Sequence, residues 1–171
     1  GKVKKRKRRI IAVLLCWMLC GTTASGAVQE GEVTTTIRSG EVRIRMHRYG
    51  DEKKEKGWED LEHILPGQKI TMITEIENLG ENCLIRYQMT AEAKSNREIP
   101  ISSFSGIPGN CVRKGEYFYH TDVVKHRETV RLFTAFTLPE TWEQGGEDEI
   151  RIHVAADAIQ SRNFKIGRAH V

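Results

Sequence analysis

The sequence predicts an all-β protein, an antiparallel sandwich of two sheets, jelly-roll-like, with about seven strands. Three observations predict it. Apolar residues recur at alternate positions from Val42 to Ile159. The alternating runs are short and bounded by Gly, Pro and Asn clusters. After the first 27 residues no helical pattern extends beyond a turn or two. Two-layer packing of such strands gives a sandwich, with a barrel as the alternative.

Residues 1–27 stand apart from that pattern. Seven basic residues lie between Lys2 and Arg9, Ile10 to Leu19 is apolar, and Gly21 to Ala27 is built from small residues and threonines. This is the layout of a secretory signal peptide, with cleavage expected after Ala27 and Ala24 as second choice. The apolar run is short for a membrane span, and Leu19 is too large to precede a lipidated Cys20. The chain carries +4 overall, from 27 basic and 23 acidic residues. Without the seven leader residues, 20 basic face 23 acidic, a net −3, so the basicity reflects targeting and no nucleic-acid partner is expected. Residues 28–165 fit one domain. Residues 166–171 (IGRAHV) match a translated sequencing adapter and are expected to be a scar.

Glu32 to Ile37 is β-branched and reads as an outer strand. Gly40 to Met46 alternates, with Val42, Ile44 and Met46 on one face. His47 to Asp60 is charged and reads as a solvated loop, with Trp58 and Leu61 tucking back on the core and a helical turn over Glu59 to Ile64. Pro66-Gly67 then feeds Lys69 to Glu77. Cys83 to Met89 follows after the polar Asn78 to Asn82, and the two strands read as one hairpin. Lys94 to Glu98 is a turn, and Ile99 to Lys114 reads as irregular. Glu116 to Val124 and Thr129 to Leu138 are strands, the second with Val130, Leu132, Thr134 and Phe136 on one face. Pro139 ends it, and Glu140 to Gln144 suits a helical turn. Glu149 to Ile159 is the last strand, with Ile150, Ile152, Val154 and Ala156 opposite Arg151, His153 and Asp157.

Cys16 and Cys20 belong to the leader. Cys83 and Cys111 are a disulfide candidate in an exported domain, worth about 2–4 kcal/mol; two buried free thiols are the alternative. No H-E-x-x-H occurs, and His47, His63, His120, His126 and His153 read as scattered surface residues with no convergent ligand set. Ser102, Ser103 and Ser105 have no evident paired base. Glu147-Asp148-Glu149 lacks the spaced carboxylates of a calcium loop. Leu138 to Trp142 is sortase-like but reads as a strand-ending turn. No catalytic residue, metal or cofactor is expected.

Gly40 to Ile44, Ile64 to Gln68 with Ile76 to Asn82, Ile85-Arg86, Gly115 to Tyr119, Leu132 to Thr134 and Val154 to Gln160 with Asn163-Phe164 together resemble the TasA/camelysin-like exported proteins of Gram-positive bacteria. The resemblance implies an exported jelly-roll-like sandwich, cleaved by a signal peptidase, with best-known members built into extracellular biofilm fibres. Some members are described as metallopeptidases, but without an H-E-x-x-H this chain is expected to be a non-enzymatic surface or matrix protein. There the N-terminal strand of one copy can complete the sheet of the next. The donor would lie in Val28 to Ile37, centred on Val33, Thr34, Thr35, Thr36 and Ile37. Expected partners are other copies or other matrix and surface components. The alternative is a non-catalytic cell-surface module that captures a glycan or a protein through Ile99 to Lys114.

Overall fold

The computed structural model describes residues 2–19, 24–27, 43–142 and 148–161. Its elements in chain order are α1 (Lys2–Leu19), β1 (Ala24–Ala27), β2 (Ile44–Tyr49), β3 (Lys69–Asn78), β4 (Cys83–Ala93), a 3-10 turn (Ile101–Ser103), β5 (Phe104–Ser105), β6 (Cys111–Lys114), β7 (Tyr117–His120), β8 (Thr129–Thr137) and β9 (Ile150–Gln160). The described residues are all-β apart from α1 and that turn. Two antiparallel sheets form, one ordered β1-β9-β4-β7-β6 and the other β2-β3-β8-β5. No described helix is long and apolar enough to cross a membrane.

Residues of both sheets share one hydrophobic cluster. From β4 come Cys83, Ile85, Tyr87 and Met89; from β9, Val154, Ala156 and Ala158; from β2 and β3, Ile44, Met46, Ile70, Met72 and Ile76. Each follows the period of two that the pleat imposes. Burying a side chain such as Ile85 or Leu132 contributes about 1.5–3 kcal/mol. The Tyr87 hydroxyl ties the sheets together by donating to the Leu132 carbonyl, 3.0 Å away. The Tyr87 ring stacks on Phe118, and Phe104 sets its edge against Phe133 and Phe136.

The expected hairpin over Ile64 to Met89 does not form. β3 pairs with β2 and β8, whereas β4 pairs with β9 and β7. The loop after Asn78 therefore arches from one sheet to the other. Asn78 holds it in place and is fully buried. Its side-chain nitrogen donates to the carbonyls of Glu81 (2.9 Å) and Val124 (3.0 Å), and its oxygen accepts from the Gly80 amide at 2.9 Å. Its own amide donates to the Glu128 carbonyl, and its carbonyl accepts from the Arg127 amide.

Other expectations shift as well. β2 begins at Ile44 and continues to Tyr49, into the expected loop, with Ile44 and Met46 buried as the alternation required. Val42 and the Glu32 to Ile37 strand lie outside the described residues. Trp58 packs on the core periphery, but Leu61 is 49% exposed, and Glu59 to Ile64 forms bends in place of a helical turn. A register irregularity between Thr71 and Glu75 lets β8 bury Leu132 and Phe133 together, so Phe133 is fully buried and Thr134 only half-buried. Glu116 to Val124 shortens to Tyr117–His120, with Val124 left in an isolated bridge to Cys83. Pro139 to Trp142 is a turn, and residues 143–147 lie outside the described part.

Ile99 to Lys114 is not irregular throughout. It supplies the edge of each sheet, β5 on β8 and β6 on β7. Between these two strands the backbone at Gly106 has φ +78°, and a Cβ there would overlap the Thr134 hydroxyl, so only glycine fits.

Candidate functional site

The edge of β9 away from β4 is only partly covered among the described residues. β9 is eleven residues long and lies between β4 and β1. β4 covers it along its whole length, from Cys83 opposite Gln160 to Ala93 opposite Ile150. On the other side β1 covers only Ala155 to Ala158, in the register Ala24 to Ala158 and Ala27 to Ala155. The backbone of Ile150 to Val154 has no strand on that side among the described residues. Ala27, the expected cleavage residue, is the last residue of β1. The preceding helix also touches the domain: Arg9 pairs with Asp122 at 3.3 Å and Val13 is buried. The candidate donor residues Val33, Thr34, Thr35, Thr36 and Ile37 lie outside the described part.

The β9 strand is held rigidly from its other flank. Arg86 and Asp157 stand directly opposite each other on β4 and β9, and their side chains meet at 2.8 Å with Asp157 buried. The Arg86 guanidinium also lies over the Tyr117 ring, 4.1 Å from its centroid. These contacts lock three adjacent strands in register. At the far end the Gln160 side chain donates to Glu81 in the arch, and the Ser161 amide donates to the Asn82 carbonyl.

Cys83 and Cys111 are free, so the expected bridge is not formed. The two residues sit on β4 and β6 with β7 between them. Two strand spacings are about 10 Å, beyond disulfide reach. Burial pushes the Cys83 thiol up to about 12. Cys111 is half-buried, with its sulfur 3.4 Å from the Tyr87 hydroxyl, and burial raises its thiol as well.

The described histidines make separate contacts, and not all lie on the surface. His47 meets Glu77 at 3.1 Å, His153 meets Glu92 at 3.6 Å, and the His126 ring bonds the Gly80 carbonyl at 2.8 Å. His63 is exposed. His120 is the exception: it is only 7% exposed, and burial lowers its pKa against the opposing pull of Asp122 and Glu128. Its signal in the sequence was its parity with Phe118 in a strongly alternating run. Ser103 is buried and Ser102 exposed, and no described hydrogen bond joins a histidine to Ser102, Ser103 or Ser105. Asp148 caps the turn after β4, bonding the Ser95 amide and hydroxyl. Among the described residues no group of three or more His, Cys, Asp or Glu could hold a metal ion.

Sequence reasoning missed β1, the two-residue β5, and β6. β1 is four small residues with no alternation to read. β6 had a usable signal in the two-residue Gly115-Glu116 connection, flanked by residues that pair across it. No protein-family model, curated protein or solved structure matches the chain.

Proposed function

We propose that the protein is an exported, non-catalytic β-sandwich subunit of a cell-surface or extracellular matrix, assembling by strand addition at the edge of β9. The observation that carries this reading is the coincidence of the expected cleavage residue with the end of β1. Cutting after Ala27 removes the strand that covers Ala155 to Ala158 and leaves the β9 backbone groups unpaired. The same cut makes Val28 to Ile37 the new N-terminal segment, and its β-branched stretch Val33 to Ile37 has the composition of a donor strand. An unpaired strand edge is a template for another chain. The jelly-roll character, the signal peptide and the likeness to TasA/camelysin proteins belong to this reading; two antiparallel sheets sharing one core support only its all-β part.

The test is polymerisation of protein beginning at Val28, compared with protein lacking residues 28–37. Fibres or oligomers that form only with the segment support strand addition. Equal assembly by both, or assembly by neither, would overturn the mechanism.

A further inference from the structure

We propose that Cys111 and His120 form a two-donor site for a soft monovalent cation, copper(I) or silver(I). The two residues are direct cross-strand partners on β6 and β7. The neighbouring pair Asn110 and Thr121 is hydrogen-bonded, Thr121 N to Asn110 O at 3.0 Å. Antiparallel pairs alternate, so Cys111 and His120 occupy the close, non-hydrogen-bonded kind. Their Cβ atoms then lie about 4.5–5.5 Å apart on one face.

That face is interior. The Cys111 sulfur lies 3.4 Å from the Tyr87 hydroxyl, which in turn reaches the Leu132 carbonyl of the other sheet. His120 is 7% exposed, and its Nδ1 is buried with no hydrogen-bond partner. In the tautomer with its proton on Nε2, this buried Nδ1 is an unpartnered lone pair on the face that carries a thiol directly opposite, available to a Lewis acid.

The donor set decides the ion. One thiolate and one imidazole nitrogen suit a soft d10 cation, which accepts two nearly linear ligands. Zinc would demand three or four protein ligands, and among the described residues no such group exists. Charge agrees: a thiolate and a monovalent ion sum to zero, and the Asp122 carboxylate, which acts on both Cys111 and His120, favours a cation there. On binding, the Cys111 S–H bond breaks, the proton leaves to solvent, the sulfur–metal bond forms, and Nδ1 donates its lone pair; nothing is oxidised or reduced. Cys111 is half-buried, so an ion can reach it, whereas Cys83 is fully buried on another strand.

The experiment titrates silver(I), and copper(I) under ascorbate, into the full chain carrying Cys16→Ser and Cys20→Ser. The expected result is one equivalent bound, protection of Cys111 but not Cys83 from alkylation in peptide maps, and a shift of the His120 ring ¹⁵N signals. Cys111→Ser abolishes binding, His120→Gln weakens it at least about tenfold, Cys83→Ala leaves it unchanged, and zinc(II) does not compete. The ring-nitrogen shift and the alkylation map are read on a chain with both donors intact and do not depend on whether a variant folds. Protection of Cys83, an unmoved His120 signal, or binding by His120→Gln equal to its parent would overturn the site and leave the Nδ1 lone pair to a buried water.

Discussion

Two short polar loops in this fold each contain a glycine and do opposite things. Asn78 to Asn82 carries the chain out of the four-stranded sheet into the five-stranded one; Gly115-Glu116 folds β6 straight back onto β7. The hairpin takes its direction from the backbone. Gly115 has φ +63°, the flanking Lys114 and Tyr117 pair, and Glu116 needs no left-handed conformation, which is the II′ pattern. The arch takes its direction from a side chain. Gly80 is not among the positive-φ glycines, and Asn78 instead gathers partners from Gly80, Glu81 and the distant Val124. A turn within a sheet is thus set by one local dihedral. A passage between sheets buries polar backbone, and the groups that satisfy it come from far along the chain.

The sharpest way to break that contrast is to remove the Asn78 side chain. Asn78→Ala strands the Gly80 amide and the Glu81 carbonyl, whereas the Val124 carbonyl keeps the Cys83 amide. We expect a loss of about 2–4 kcal/mol in urea unfolding with an unchanged m-value. Asn78→Asp keeps the acceptor but loses both donors and buries a charge, so it should be at least as damaging. A loss under about 1 kcal/mol for Asn78→Ala would mean that the backbone bonds to Glu128 and Arg127 hold the arch unaided.

The hairpin should respond less, and for a different reason. A Cβ on Gly115 would meet nothing within 4 Å, so Gly115→Ala costs only the left-handed backbone, about 1–2 kcal/mol. Gly115→Asn should cost less, since asparagine tolerates that region. Equal stability of the two variants by urea unfolding would show that this dihedral does not govern the turn.

The contrast also explains what was legible in the sequence. Alternation is local and survived: β4 and β9 bury the residues whose parity demanded it, and the long central strands fell within a few residues of expectation. Sheet membership is not local. Nothing in Asn78 to Asn82 announces that its partner is Val124, so a polar, glycine-bearing loop read as a hairpin. β6 went unread because Cys111 to Lys114 is mostly polar or half-exposed, an edge with one covered face. β1 has neither alternation nor bulk, and its place is set by the β9 edge it covers. The candidate site was partly visible: Ala27 emerged from small-residue spacing, but what its strand lies against required three dimensions. The cysteine pair misled because sequence distance carries no strand order, and β7 keeps the sulfurs apart.

Asp51 offers a third loop built on the same chemistry as the arch but set in solvent. Its carboxylate accepts from the Lys56 amide at 2.9 Å and the Glu55 amide at 3.1 Å, closing the loop that places Lys54 2.7 Å from Glu75. The Lys56 amide bond is the main cause holding the Asp51 pKa below its ordinary 3.8, against the opposing effect of desolvation and with help from the Glu55 amide. A carboxylate depressed in the folded state stabilises fully above its unfolded value, and that contribution disappears as pH falls through the folded pKa. The amide shifts of Lys56 and Glu55 should therefore titrate together with a midpoint below 3.8. Asp51→Asn should keep both amide bonds and abolish the titration. A midpoint at or above the ordinary value would show that the loop closes without its carboxylate. Burial would then cease to be what separates Asn78 from Asp51, because the exposed loop would never have depended on its side chain.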